Sequence, residues 1–365
     1  MSIRYAVVQG YISQVAVLPA FEHAKENSTL SALISGDSVK LDELSKKYGV
    51  ERCYSYDQYD ECLESGEIDA VYIALPNHMH REYAERAARA GIHVLCEKPM
   101  AVTSEDCETM IAAAEENGVK LMIAYRLHFE EANLKAIEMV KAGQLGEPRI
   151  FSSDFCQQVT DEDNIRLNAS DAGGGPVYDM GVYCINAARY LFQDEPVEVF
   201  ACMANNGEKR FAKCEEMASA VMRFPNDRLA TFTCSFGAAD AGTYRIIGTK
   251  GDLRMDDGYE YVKEIKQQIT IEGKKKEIKF EKRDQFAPEL VYFSDCVLND
   301  KDPEPSGEEG LADVRVIEAI YESARSARPV KLGAFERVSR PSMRQEMKRP
   351  PVRKPDLVHA SSPSS

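Results

Sequence analysis

The stretch RYAVVQGYISQVAVLPAF, residues 4–21, decides the fold. A short apolar strand runs into a glycine turn and then into an amphipathic segment, the order in which a nucleotide-binding α/β domain opens. In a dinucleotide turn the first glycine bends the chain, the second brings backbone close to the pyrophosphate, and the third lets helix pack on strand. Gln9, Gly10 and Ser13 occupy that window, with Tyr11 and Ile12 between. Gly10 suits the close approach and Ser13 is small enough for the packing position. The first glycine is missing and the turn reads one residue short, so a plain strand-to-helix turn remains an alternative.

The same rhythm continues outward. A helix is expected over residues 14–25, a strand over 29–36, a helix over 38–50 and a strand over 69–76. Helices at 79–92 and 104–119 then alternate with strands at 93–99 and 120–127. Alternation with continuously apolar strands predicts a parallel sheet covered on both faces. Past residue 128 a helix (130–146) leads into longer, more polar strands at 149–159, 197–206, 216–225, 228–236, 243–256 and 266–281, with turn signals and no helices between them. That pattern predicts an antiparallel sheet, closed by a helix over 307–327. The expected fold class is α/β: a doubly wound Rossmann domain (1–128), an α+β domain with an open antiparallel sheet (129–338), and a Pro-, Ser- and Arg/Lys-rich tail (339–365) that is weakly ordered or laid over a neighbour.

A chain of 365 residues supports two domains. No apolar run nears a membrane span of about 20 residues, and the opening MSIRYAVV enters a strand pattern without a secretory leader. Ten scattered cysteines without a C-x-x-C pair suit reduced thiols, and with six histidines they leave no metal site expected. The expected location is the cytoplasm. A formal charge of -15 repels a phosphate polymer, which argues against a nucleic-acid partner.

The second strand ends in ISGDSVK (34–40). An NAD site places a carboxylate there for the ribose hydroxyls, and Asp37 fits, although Asp37 and Ser38 also read as a helix cap. Ser35 and Lys40, around Gly36, offer a hydroxyl and a cation that suit a 2′-phosphate. NADP is therefore favoured, with NAD as the other admissible cofactor. In LCEKPMAV (95–102), the Glu97-Lys98 pair follows a buried strand directly, where ligands bind in parallel sheets.

ALPNHMH (74–80), CEKPMA (96–101) and GGGPVYDMGVYCINAARYLF (173–192), in that order, resemble the Gfo/Idh/MocA family of oxidoreductases, and the likeness extends to residue 332. The resemblance implies a Rossmann domain, an open-sheet domain whose free face makes a dimer or tetramer, and NAD(P)-dependent chemistry on sugars. Many members carry Asp-x-x-x-His in the third motif. This chain has Asp179 followed by Tyr183, which resembles the glucose-fructose oxidoreductase branch, as does SGDSVK.

A hydride leaves a carbinol carbon readily only when the hydroxyl proton leaves too, so a general base is needed. Tyr183 is the candidate, with the Lys98 ammonium orienting the reacting hydroxyl and favouring proton transfer. Asp179, four residues earlier, shares its helical face and orients substrate or Tyr183. The resemblance further implies Leu75, Pro76, Asn77 and His80 beside the nicotinamide ribose, with Glu97 and Arg126 at the cofactor. It places Tyr125, Arg166 and Asn186 at the sugar. The substrate expected is an aldose or related cyclic sugar, with the cofactor held tightly and recycled as a variant. The missing glycine keeps a second reading open, a nucleotide- or sugar-sensing protein with little or no catalysis.

Overall fold

The computed structural model of the chain describes residues 1–337, 339–353 and 355–360. Its first part alternates strand and helix: β1 (Ile3–Val8), α1 (residues 13–23), β2 (Ser28–Ile34), α2 (Ser38–Tyr48), β3 (Arg52–Tyr54), α3 (Tyr59–Glu64), β4 (Ala70–Ile73), α4 (His80–Arg89), β5 (His93–Glu97), α5 (Ser104–Glu116) and β6 (Leu121–Ala124). The strands pair in parallel in the order β3-β2-β1-β4-β5-β6. The order reverses between β1 and β4, which opens a crevice at the carboxyl ends of the strands. Sequence periodicity explains the helices: α4 buries His80, Tyr83, Ala84, Ala87 and Ala88, one stripe at helical spacing.

Two departures from the expected elements have local causes. Pro19 lies inside the helix expected over 14–25 and offers no N–H to the carbonyl four residues back. The chain answers with a wide first turn in which Leu18 N–H reaches Ser13 O, so α1 is irregular and ends at His23. The short β3 and α3 escaped the sequence pattern because neither carries an apolar run of its own length.

The second part holds α6 (Glu131–Lys141), β7 (Pro148–Cys156), α7 (Val182–Phe192), β8 (Glu198–Ala204), β9 (Met217–Phe224), β10 (Arg228–Ser235), β11 (Ala241–Gly248), β12 (Gly251–Asp256), β13 (Ile265–Ile271), β14 (Lys274–Phe280), α8 (Ala287–Leu298), α9 (Gly307–Ser326) and β15 (Val330–Lys331). The strands form one nine-stranded sheet, antiparallel except where β7 meets β10. The expected single strands over 243–256 and 266–281 are each a hairpin; in the second, Glu272 and Gly273 both take positive φ, the geometry of a tight two-residue turn. One face of the sheet packs on α7 and α9, and alternate residues of the other face, among them Ile150, Phe200, Val221 and Leu229, are exposed.

The strand run expected without helices is interrupted once, by α7 between β7 and β8, the helix that carries Tyr183, and a helix not expected, α8, follows β14. The latter returns to the parallel sheet: Leu290, Val291 and Phe293 join the core around Tyr5 and Val7, and Tyr5 Oη lies 2.8 Å from Ser294 Oγ. A division at residue 128 therefore leaves the first sheet without one of its covering helices. The described tail residues lie along their own chain, because their basic side chains find acidic partners on the body: Arg340 on Glu195, Lys348 on Glu131 and Arg349 on Glu26. Residues 361–365 of the expected tail fall outside the described residues.

Candidate active site

Four strand exits converge at the crevice. After β1, Gly10 presses against the β4 exit so closely that a Cβ would lie 1.9 Å from the Ala74 carbonyl oxygen. Ser13, fully buried, donates to the Gly10 carbonyl at 2.6 Å, so it fills the packing position expected of it. Tyr11 faces Arg166, with the guanidinium 5.8 Å from its ring centre, and Ile12 leans on the α8 side of the core.

At the β2 exit Ser35 is buried and its Oγ accepts Asp37 N–H at 3.2 Å; Gly36 lies under the Tyr56 ring. Asp37 caps α2 by accepting Lys40 N–H at 3.1 Å. At the β4 exit, Asn77 donates to the Gly173 carbonyl at 2.7 Å. Gly173 has φ 76° and no room for a Cβ against Asn77, which fits a glycine to this contact. His80 is buried with Nε2 2.8 Å from the Leu75 carbonyl and Nδ1 3.0 Å from the Pro99 carbonyl. It ties the loops after β4 and β5 together, and Pro76 begins the turn that leads to it.

Lys98, at the β5 exit, donates to Asp179 twice, at 2.8 Å to the carbonyl and 3.1 Å to Oδ1. Arg166 Nε holds the other carboxylate oxygen at 2.7 Å. Burial works against the Asp179 charge, but Lys98 and Arg166 outweigh it and hold its carboxyl well below the usual range. Burial likewise disfavours the Lys98 ammonium, yet Tyr183, Asp179 and Glu97 raise its pKa, so Lys98 is a cation at neutral pH. Asp179 sits in a wide turn over Val177–Gly181 that runs into α7, and Tyr183 lies in the first turn of α7 itself.

Tyr183 is half-buried between two cations. Lys98 Nζ stands 4.6 Å and the Arg126 guanidinium 5.1 Å from its ring centre. Lys98 therefore stands beside Tyr183 while two of its protons go to Asp179. Phe155 and Tyr259 pack against the same ring at 5.4 and 5.9 Å. Arg126 also stacks on Tyr261 and bonds Gln285 and the Tyr259 carbonyl. Burial opposes its charge, and Tyr183 and Tyr261 more than restore it.

Two expected substrate residues lie elsewhere. Tyr125 donates to Asp313 at 2.6 Å, and Asn186 donates to Glu309 and Asp313 at 2.8 and 2.9 Å while facing His128 at 2.8 Å. Both are buried in an ionic network built around Arg189, Glu309 and Asp313 that joins α7 to α9. Their sequence neighbours Arg126 and Tyr183 face the crevice. Tyr125 and Asn186 reach instead to the acidic residues of α9.

Sequence reasoning named Glu97 and Gln9 and passed over Glu289 of α8, and all three are buried. Glu97 is buried and accepts Tyr72 Oη–H at 2.7 Å. Burial, then the nearby Glu97 charge, pushes the Glu289 carboxyl of α8 far up, and both its oxygens are buried without a hydrogen-bond partner among the described residues. The Gln9 amide is buried and unpartnered in the same sense. An orphaned amide beside a backbone turn at the mouth of β1 fits a dinucleotide: Gly10–Ser13 would lie along the pyrophosphate, and Ser35 and Lys40 at the adenosine ribose.

A Rossmann sheet whose carboxyl edge gathers a lysine, an ionised aspartate and a tyrosine is that of a dinucleotide-dependent oxidoreductase. Comparison with known proteins agrees. The oxidoreductase family with an NAD-binding Rossmann fold matches residues 3–125, and the GFO/IDH/MocA C-terminal domain matches residues 133–254. The chain belongs to the Gfo/Idh/MocA family. It is 32% identical to a D-xylose 1-dehydrogenase [NADP(+)] of Haloarcula marismortui, over 90% of this chain and 93% of that one. Among solved structures it is similar to an aldose-aldose oxidoreductase from Caulobacter crescentus complexed with glycerol, at 38% identity and a TM-score of 0.87, covering 91% of this chain and 100% of that one. A 3-ketoreductase from Actinomadura kijaniata in complex with NADP and TDP-benzene is 26% identical with a TM-score of 0.81, covering 88% and 98%.

Proposed function

We propose that the protein is an NADP-dependent oxidoreductase moving a hydride between the nicotinamide and a CH–OH carbon of an aldose or related cyclic sugar. One observation carries the reading: Lys98, Arg166 and Asp179 form a locked charged group beside Tyr183 at the carboxyl edge of the parallel sheet. The sugar-acting, NADP-using relatives support it.

When bound, the nicotinamide supplies the hydride acceptor or donor. The proton belongs to the chain. As the C–H bond of the sugar gives up its hydride, the hydroxyl proton passes to the Tyr183 oxygen, and in the reverse direction Tyr183 returns it. Negative charge on that oxygen is stabilised by the Lys98 and Arg126 cations flanking the ring. Lys98 commits two of its three N–H donors to Asp179, which leaves the third for the reacting oxygen. Asp179 fixes Lys98 and Arg166 in place, and Phe155, Tyr259 and Tyr261 wall the site against water.

Retention of the cofactor between an oxidised and a reduced sugar, a cytoplasmic location and homo-oligomerisation through the open sheet belong to the same proposal. The test of the core is Tyr183→Phe. Turnover with aldose and NADP is expected to fall roughly 10²–10⁴-fold with NADPH affinity kept; a fully active variant removes Tyr183 from the mechanism.

A further inference from the structure

Residues 333–337, 339–353 and 355–360 lead from the open-sheet domain to the adenosine side of the crevice. Gly333 meets Arg315, and Gln345, buried, donates to both the carbonyl and the carboxylate of Glu304. The segment then crosses to the first domain, where Lys47 Nζ donates to the Asp356 carbonyl at 3.1 Å. Val358 pairs with the buried Gln14 side chain in both directions: Gln14 Nε2 donates to its carbonyl and Oε1 accepts its N–H, each at 2.9 Å. The Val358 side chain joins the apolar cluster that includes Ile12 and Leu41. Next to it, His359 Nδ1 lies 2.8 Å from Asp37 Oδ2.

Asp37 stands between Ser35 and Lys40, where the ribose of the adenosine half is placed by the reading above. A carboxylate with a free oxygen there accepts from the ribose hydroxyls and repels a 2′-phosphate, which selects NAD. In this chain each oxygen already accepts one hydrogen bond within the protein, Oδ1 from Lys40 N–H in capping α2 and Oδ2 from His359, so ribose hydroxyls must compete for the remaining lone pairs. We infer that His359, carried on a strap formed by residues 355–360, is a specificity-determining residue that occupies Asp37 and so turns the site toward NADP, while the strap slows release of the dinucleotide. The inference rests on the cofactor placement proposed above and adds to it a distant segment that no strand-end motif contains.

The test uses the full chain, His359→Ala, a chain ended at Pro355, and the double variant Asp37→Asn/His359→Ala. Dissociation constants for NADPH and NADH are read by fluorescence, and NADPH release by displacement in stopped flow. The ratio of NADPH to NADH affinity is expected to fall roughly tenfold in His359→Ala and in the shortened chain, the worth of one hydrogen bond to a charged group. NADPH release quickens in the shortened chain, and Asp37→Asn restores the ratio because the competing carboxylate is gone. An unchanged ratio in both single changes, with NADPH still bound by the full chain, overturns the inference alone. Failure of the folded full chain to bind either nucleotide overturns the cofactor placement on which it rests.

Discussion

Glu289 sets a measurable problem at the scale of one residue. Its carboxyl is fully buried, has no hydrogen-bond partner among the described residues, and has Glu97 nearby, so the folded state keeps it protonated well above its ordinary pKa. The unfolded chain releases that proton near the ordinary value of about 4.3. Between those two values the native state holds the extra proton, so stability falls as pH rises, by about 1.4 kcal/mol per pH unit. Glu289→Gln keeps the shape and removes the titration. Urea unfolding at pH 5 and pH 8 is expected to show wild type losing more stability than the variant; equal losses would mean that the group is ionised in the fold. Asp179 behaves oppositely. Its depressed pKa keeps the contacts with Lys98 and Arg166 present above the ordinary carboxylate range and yields them only in strong acid. Lys98, Asp179 and Tyr183 were legible in the sequence because each sits in a short motif at a strand or helix end. Glu289 and His359 were not, since one reads as an ordinary helix residue and the other as part of a polar tail.

At the scale of the element, the turn after β1 answers the question of its missing glycine. Gly10 is required by the chain itself, since its α-carbon rests on the β4 exit, and Ser13 closes the turn through its own hydroxyl. Gly10→Ala is expected to destabilise the protein by about 1–3 kcal/mol, the usual cost of overpacking, and to weaken NADPH binding with it. Thermal unfolding with and without NADPH checks both effects, and an alanine variant of unchanged melting temperature would refute the close contact. Periodicity showed α4 and α5 because a single apolar stripe faces the sheet. It could not show how α1 is wound, because Pro19 changes the hydrogen-bond pattern without changing the pattern of apolar residues.

At the scale of the whole molecule, alternation of strands and helices followed by polar strands was enough to read a parallel sheet beside an antiparallel one. What pattern could not supply is which distant element covers which face. Helix α8 is apolar on most of its surface, so nothing in its own spacing assigns it to the first sheet, and the Arg189 network draws on residues from Tyr125 to Arg337. The free face of the large sheet keeps Phe200 beside Val221 and Ile150 beside Leu229 in register, all exposed in one chain. Such an exposed apolar strip motivates the proposed contact between copies. Light scattering after gel filtration is expected to give a multiple of 40.8 kDa for the wild type, and the single-chain mass for Phe200→Asp/Val221→Lys. A wild type that runs at the single-chain mass would remove the proposed assembly. The central claim is tested most directly by a single turnover: protein loaded with NADP is mixed with a panel of aldoses, and NADPH fluorescence is followed. The account predicts NADPH formed in proportion to the protein with at least one aldose. Folded protein that binds NADP yet forms no NADPH with any aldose, and oxidises no NADPH with the matching lactones, would contradict it.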